Sequence, residues 1–325
     1  MVATIRIHRT GGPEVLALDD VELAPPGRGE ARVAHTAIGV NFLDCYHRSG
    51  LYPLPTLPHG LGSEAVGVIE ALGDGVHGLA VGDRVAYAGG VAPGSYATAR
   101  NVPAWRLVPA PASVDDVTLA ASLLKGLTAE FLVRRVFKIG PGHRVLVHAA
   151  AGGVGTLLCQ WLRHVGATVV GVVSTAAKAD AAFAAGCHQV VVRAEADVAD
   201  AVARFTHGRG VDVCYDSVGK DTLRESLRCL RKRGLLVSFG NASGRPDPVA
   251  LAELQAGAFF LTRPTLHDYT STRNELLHAA EVFGKLLAGG VLRQRVHAAL
   301  PLAEAAAAHR LLESRTTTGA LVLLP

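Results

Sequence analysis

Cysteine is sparse and unpatterned in this chain. Its five cysteines, Cys45, Cys159, Cys187, Cys214 and Cys229, fall at scattered positions without CxxC spacing. An odd, unclustered set excludes a disulfide framework and a structural zinc site, and predicts free thiols in a reducing cytoplasm. Apolar runs long enough to span a bilayer are also missing. The chain starts with the alternating Thr4-Ile5-Arg6-Ile7-His8 rather than a charged end followed by an apolar segment, so a soluble cytoplasmic protein is expected. A strong charge of one sign is lacking too. The formal net charge is +4, spread along the chain, which gives neither nucleic acid nor a membrane surface much to hold. The densest basic stretch runs from Arg224 to Arg233 and includes Arg228, Arg231, Lys232 and Arg233. It reads as the solvated last turn of a helix before Gly234, where cations are favoured.

What is present is a globular chain of 325 residues, 49% hydrophobic and 18% charged, long enough for two domains. Residues 1 to about 120 are rich in glycine, proline and short β-like runs such as Ala65-Val66-Gly67-Val68-Ile69-Glu70 and Asp83-Arg84-Val85-Ala86-Tyr87, the pattern of a largely antiparallel β domain. From about 124 the texture changes to alternating strands and helices. Strands are expected at 144–149, 168–173, 190–192, 211–215 and 234–239, with helices beginning at 153, 175, 197 and 220. Repeated βα units imply a parallel, doubly wound sheet. The tail from about 265 carries an alanine-rich helix around Leu302 to Leu312 and a last strand, Ala320-Leu321-Val322-Leu323-Leu324, expected to pair back onto the first domain. The α/β domain, residues 124–264, is then an insertion between 1–123 and 265–325.

The most informative stretch is Val145-Leu146-Val147-His148-Ala149-Ala150-Ala151-Gly152-Gly153-Val154-Gly155, an apolar strand entering a glycine-rich turn and then a helix. Glycines at 152 and 155 let the backbone approach a pyrophosphate, and the open amides of the helix start attract the anion. The first glycine of the usual fingerprint is replaced by Ala149, and such turns also serve purely structural ends. The next strand, Thr168 to Val173, ends in Ser174 rather than the acid that holds an NAD ribose, and Thr175 and Lys178 follow. Lys178 alone also reads as a solvated helix residue, but a hydroxyl and a nearby ammonium in place of a carboxylate predict NADP(H) over NAD(H). Ligands of open α/β sheets bind beyond the carboxyl ends of the strands, so the site is expected in a cleft between the domains, near Ala149-Ala150, Ser174, Asp216-Ser217 and Phe239-Gly240-Asn241.

At full length the chain resembles the medium-chain dehydrogenases/reductases, and within them the zeta-crystallin-like branch of NADPH-dependent quinone oxidoreductases. The resemblance rests on several motifs spread along the sequence. They are Gly11-Gly12-Pro13-Glu14-Val15-Leu16, Ile38-Gly39-Val40-Asn41-Phe42-Leu43-Asp44, Arg48-Ser49-Gly50-Leu51-Tyr52, Gly60-Leu61-Gly62-Ser63-Glu64, Ala80-Val81-Gly82-Asp83-Arg84-Val85, Leu124-Lys125-Gly126-Leu127-Thr128, His148 to Gly155, Tyr215-Asp216-Ser217-Val218-Gly219 and Phe239-Gly240-Asn241-Ala242-Ser243-Gly244. It implies a Rossmann domain inserted in a GroES-like catalytic domain. Zinc-dependent members carry a cysteine where this chain has Asn41 and a histidine where it has Ser63, before Glu64, and no cysteine occurs in Gly89 to Asn101. Asn and Ser are poor zinc ligands, so no metal is expected.

The resemblance further implies that Asn41, Asp44, Tyr46 and Tyr52 line the cleft near the nicotinamide, with Lys125 and Thr128 facing it. Each tyrosine stacks on a planar acceptor or donates a proton, or else is an interface residue with its hydroxyl in water. Asn41, a short amide in an apolar run, needs a hydrogen-bond partner when buried, and a bound nicotinamide ribose or substrate oxygen would provide one. His47 and His59 lack a carboxylate partner at a diagnostic spacing and are not assigned. For NADPH the resemblance implies pyrophosphate contacts at Ala151, Gly152, Gly153 and Val154, the 2′-phosphate near Ser174 and Lys178, and further contacts at Ser217, Phe239, Asn241, Arg263 and Arg315. Where relatives have a tyrosine near the adenine, this chain has Arg193, which stacks on the adenine, pairs with the phosphate, or faces solvent. The expected activity is reduction of quinones by NADPH without metal. A 2-alkenal or enone reductase, and a non-catalytic NADPH-binding, crystallin-like or RNA-associated protein, are the alternatives. Gly257 to Pro264 reads as an exposed edge strand that in this family pairs with its symmetry mate, so a homodimer is expected unless the chain's own tail covers the strand.

Overall fold

The computed structural model describes all 325 residues, Met1–Pro325. The chain folds as two compact units, Met1–Leu127 with Tyr269–Pro325, and Thr128–Asp268. The composition change placed each junction four residues earlier.

The discontinuous unit is built on a seven-stranded sheet. Its order is Val296–Pro301, Ala320–Leu324, Glu30–Val40, Glu64–Leu72, Arg84–Ala88 and Val108–Pro109, with Ala99–Pro103 also paired to Glu30–Val40. All pairs are antiparallel except the first, and the terminal strand returns onto the first domain through Leu321↔Val40 and Leu323↔Ile38. Strand Glu30–Val40 buries Ala31 and Val33 alternately and then every residue from Ala37 onward, where both of its faces are covered. The core gathers Ile5, Ile7, Ile38, Leu61, Ile69, Tyr87, Tyr96, Leu321 and Leu323.

The second unit carries a six-stranded, wholly parallel sheet in the order Gln189–Val192, Thr168–Val173, Arg144–His148, Val211–Asp216, Leu230–Ser238 and Phe260–Thr262. The strand order reverses between Thr168–Val173 and Val211–Asp216, on either side of Arg144–His148. In a doubly wound sheet that reversal is where ligands bind. The strands read as apolar runs because helices cover both faces, and Leu146, Val170, Val172, Val198, Val202, Leu223, Leu227 and Leu236 form one side of the core.

Two sequence readings change. Only Arg228 of the basic stretch closes a helix, Leu223–Arg228, whereas Arg231, Lys232 and Arg233 lie in strand Leu230–Ser238. Buried Asp212 is the cause, since its carboxylate takes Arg231 Nε at 2.5 Å and the Arg144 amide at 2.7 Å. The edge strand is only Phe260–Thr262, shorter than the apolar segment around it. Four helices were not read from the sequence: Phe42–Ser49, Asp116–Phe131, the short Leu251–Gln255 and Arg273–Ala288. The last had a readable start, because Thr272 and Glu275 form a capping box.

Helix Arg273–Ala288 anchors to the first unit through Phe283, which is fully buried and packs against Gly126, where an added Cβ would come within 2.1 Å of the ring. Phe283→Ala is therefore expected to lower unfolding free energy by about 3–5 kcal/mol. Denaturant titration measures it, and a loss under about 1 kcal/mol would show the helix to be peripheral.

Candidate active site

In the discontinuous unit the functional side chains gather around two buried carboxylates. The first, Glu64, begins an apolar strand and is fully buried. Its Oε1 accepts from Asn41 Nδ2 at 2.9 Å and Lys125 Nζ at 3.0 Å, and its Oε2 accepts from the Leu124 amide at 2.6 Å. Two separate segments, at Asn41 and at Leu124-Lys125, therefore converge on one side chain. Gly39 makes the room: a Cβ there would be 2.2 Å from Glu64 Oε1 and 2.3 Å from the Ala120 carbonyl. The Asn41 amide group thus finds its partner inside the protein, where the sequence reading had left that place to a ligand.

The second carboxylate, Asp44, caps helix Phe42–Ser49 by accepting from the Asn41 amide at 2.9 Å. It also accepts from Ser63 Oγ at 2.6 Å and Tyr96 Oη at 3.0 Å. Asp44, which the resemblance implied lines the cleft near the nicotinamide, is entirely buried. It holds the start of the helix that carries Tyr46. Tyr46 and Tyr52 are half-buried, with ring centroids 5.2 Å apart and the Tyr52 amide bonded to the Tyr46 carbonyl. His47 packs its ring edge on Tyr52, and His59 Nδ1 lies 2.7 Å from the Gly60 carbonyl.

Behind Asp44 runs a chain of hydrogen bonds with a fixed direction. Arg48 can only donate, so His309 Nδ1, 2.9 Å from Arg48 Nη1, is an acceptor. The neutral ring then carries its proton on Nε2 and donates to Tyr96 Oη at 3.0 Å, and the Tyr96 hydroxyl donates to Asp44. Arg48 is itself buried and forks onto Glu313, at 2.6 and 3.1 Å. Burial pushes Asp44 up from 3.8 to about 6, against the pull of its hydrogen bonds from Ser63, Asn41 and Tyr96. Burial, helped by the Arg48 guanidinium, pushes His309 down to about 3. Glu64, Arg48, Tyr96 and His309 were missed as site residues. The one local signal was a glutamate at the head of an apolar strand, and the others come from segments that only the fold brings together.

In the second unit, strand Arg144–His148 leads through Ala149, in the left-handed region at φ 51°, to Gly152, the cap of helix Gly153–His164. The helical ladder begins with the Thr156 amide on the Gly152 carbonyl, so the amides of Gly153 and Val154 lie ahead of it, next to buried Ala151. A Cβ at Gly155 would meet the Ala149 carbonyl at 2.1 Å, so glycine is what lets the helix close on the turn. Ser174 and Arg193 line one depression together with Glu195, Asp197 and Glu225. Although no acid ends the strand, acids do stand beside Ser174. Arg193 answers one of them, with Nε 3.2 Å from Glu225, and it also bonds the Asp221 carbonyl at 2.5 Å. Lys178 is half-buried in the short turn that follows Ser174.

Ser217 and Asn241 come together, since the Ala242 amide bonds the Ser217 carbonyl at 3.3 Å and a Cβ at Gly240 would lie 2.3 Å from that carbonyl. Phe239 leaves the same strand, its amide bonded to the Asp216 carbonyl at 2.8 Å, and Arg263 holds the Ser238 and Gly240 carbonyls at 3.1 and 2.9 Å. Thr128, half-buried, follows Lys125 by one helical turn. Arg315 is exposed, in the left-handed region at φ 58°, just past helix Ala305–Glu313.

Comparison with known proteins decides the family. Quinone oxidoreductase 1 of Escherichia coli (strain K12) is 45% identical over 328 residues, covering 100% of each chain. The chain belongs to the quinone oxidoreductase family. The solved structure of E. coli quinone oxidoreductase complexed with NADPH is 45% identical and matches with a TM-score of 0.97, over 99% of this chain and 100% of that one. A 2-haloacrylate reductase of a Burkholderia species is 44% identical over 334 residues, 100% of this chain and 99% of that protein. Residues 27–112 match the alcohol dehydrogenase GroES-like domain and residues 153–288 the zinc-binding dehydrogenase family.

That last family description implies zinc, and the donors in this quinone oxidoreductase-family chain do not fit it. Asn41 and Ser63 offer neutral amide and hydroxyl groups already committed to Glu64 and Asp44. No three His, Cys, Asp or Glu side chains converge. Cys45 is buried with Sγ 3.5 Å from His309 Nδ1, and burial pushes its thiol well above the usual range.

The buried imidazole gives a pH signature. An unfolded histidine takes up a proton below about pH 6.5, whereas His309 stays neutral down to about 3, so its contribution is complete above 6.5 and lost as pH falls. Asp44 works the other way, losing stability as pH rises from 3.8 to about 6. Between about pH 6 and pH 4 the wild type should therefore lose about 1.4 kcal/mol per pH unit more than His309→Gln in chemical unfolding. Equal slopes would mean that the ring is not held neutral.

Proposed function

We propose that the chain is an NADPH:quinone oxidoreductase that works without metal. The observation that carries this is the full-length, 45% identical match to E. coli quinone oxidoreductase 1, together with a Rossmann sheet whose glycine turn leaves open amides at the strand-order reversal. NADPH supplies the reducing equivalents when bound. Ala151, Gly152, Gly153 and Val154 hold its pyrophosphate with backbone amides, Ser174 and Lys178 hold the 2′-phosphate, and Arg193 adds a second cation there. Ser217, Phe239, Asn241, Arg263 and Arg315 complete the cofactor contacts.

On the acceptor side, Tyr46 and Tyr52 offer aromatic faces to a planar quinone, and Asn41 and Thr128 orient it. Lys125 Nζ and Asn41 Nδ2 donate to the same Glu64 oxygen, and the Lys125 ammonium balances that carboxylate, so the quinone oxygen is met by a hydrogen-bond donor rather than a metal. Asp44 positions the helix that carries Tyr46. The 44% identical 2-haloacrylate reductase supports a second acceptor class, an activated carbon-carbon double bond, on the same scaffold.

Strand Phe260–Thr262 ends the parallel sheet, and Phe260 and Leu251 are exposed, which supports pairing with a second copy. A monomeric mass in solution would rule that out. The five unpaired cysteines suit a reducing compartment, and no helix is long and apolar enough to cross a membrane.

The test is the initial rate of NADPH oxidation with a panel of ortho- and para-quinones, NADH and a 2-alkenal serving as comparisons. Quinone turnover that prefers NADPH and is insensitive to chelator is expected. Lys178→Ala should raise the KM for NADPH about tenfold and leave that for NADH unchanged. Alkenal turnover alone would transfer the assignment to the second acceptor class, and a preference for NADH would reject the phosphate site.

A further inference from the structure

His148 and Asp216 are the last residues of the two neighbouring strands Arg144–His148 and Val211–Asp216, which pair through Val147↔Tyr215 at the strand-order reversal. The loops that leave these two strand ends are the glycine turn and the Ser217-Val218-Gly219 turn. Both His148 and Asp216 are buried, 1% and 0% exposed, and neither takes part in the chemistry described above. A single hydroxyl joins them. Ser226, 0% exposed on helix Leu223–Arg228, donates from Oγ to Asp216 Oδ2 at 2.9 Å and lies 2.9 Å from His148 Nε2.

A serine hydroxyl has one proton. Asp216 already receives the Val218 amide at 2.8 Å, the Gly219 amide at 3.0 Å and Thr222 Oγ1 at 2.8 Å, so it acts as acceptor for every neighbour. The Ser226 proton therefore points to Asp216, and His148 must donate from Nε2 to Ser226 Oγ. The relay runs in one direction: His148 Nε2–H to Ser226 Oγ–H to Asp216, which in turn clamps the amides of the Ser217 turn. It is not a nucleophilic triad, because the hydroxyl is sealed from solvent and its proton goes to the carboxylate instead of the imidazole.

We propose that His148 and Ser226 are positioning residues that lock the glycine turn to the Ser217 turn and so fix the spacing between the pyrophosphate and the nicotinamide half of the dinucleotide. This rests on the NADPH reading above. Adjacent strands alone set the register of their own backbone. They do not fix the two loops beyond the strand ends, one of which leaves through the left-handed Ala149. The relay supplies that link from beneath, with no member touching the cofactor.

The test compares two probes, NADPH and adenosine 2′,5′-bisphosphate, which carries the Ser174 and Lys178 end of the cofactor but no nicotinamide. Ser226→Ala leaves the His148 donor buried without an acceptor, and His148→Phe removes the donor, whereas His148→Gln keeps an amide donor at the same reach. Ser226→Ala and His148→Phe should each raise the NADPH dissociation constant about tenfold. His148→Gln should stay within about threefold of wild type. All three should bind the bisphosphate within about twofold of wild type. In turnover the first two should raise the KM for NADPH more than they lower kcat. Unchanged NADPH affinity in Ser226→Ala, equal weakening of both probes, or failure of His148→Gln to restore binding would overturn the proposal. If wild type binds the bisphosphate but not NADPH, or neither, the cofactor reading itself fails, an outcome distinct from wild-type binding that the variants leave unmoved.

Discussion

Glu64 is a fully buried carboxylate, and Asn41 and Lys125, both proposed for the acceptor side, take their places from it. An unpaired carboxylate in such a position costs several kcal/mol, so each donor around it is held by more than its own chain geometry. Lys125 supplies the counter-charge, Asn41 and the Leu124 amide fill the remaining lone pairs, and Gly39 leaves the space. The pair is 3.0 Å apart and both side chains are shielded from water, so the attraction is little screened by salt. Helix Asp116–Phe131, strand Glu64–Leu72 and the segment before helix Phe42–Ser49 are thereby tied at one point.

The two units use the same device at different ends of the chemistry. In each, a strand or helix end presents a buried aspartate whose lone pairs are filled by backbone amides and hydroxyls, and a buried neutral imidazole feeds hydrogen bonds toward it. Asp44 has Tyr96 and His309, and Asp216 has Ser226 and His148. Such networks add little net stability when complete and cost much when one member is lost, which makes them sharp determinants of geometry. The metal-free acceptor site proposed above would depend on that geometry.

Much of the fold was legible in the sequence. Apolar runs of strand length separated by helical periods gave the parallel sheet, and the glycine turn after His148 gave the corner where strand passes into helix. Helix Asp116–Phe131 was less readable because it is buried nearly all round, which blurs the helical period, and Phe42–Ser49 because its buried face carries Asp44 and Arg48 where apolar residues would be looked for. The basic run at Arg231 to Arg233 misled because a cation near Gly234 looks like a helix end, while its cause, buried Asp212, lies 19 residues earlier. The site was half legible. Asn41 and Lys125 stand in motifs and Ser174 at a strand end, but a motif does not show that Asn41 and Lys125 meet on Glu64. His309 is 264 residues from Cys45 and 213 from Tyr96, and no local pattern links them.

The most direct measurement of the Glu64 account is a double-mutant cycle in unfolding free energy on Glu64→Gln, Lys125→Met and the pair together. Each single change strands a buried charge and should cost about 3–5 kcal/mol, while the double variant should cost far less than their sum. Additive losses would contradict the account, because they would mean that Lys125 and Glu64 do not depend on each other.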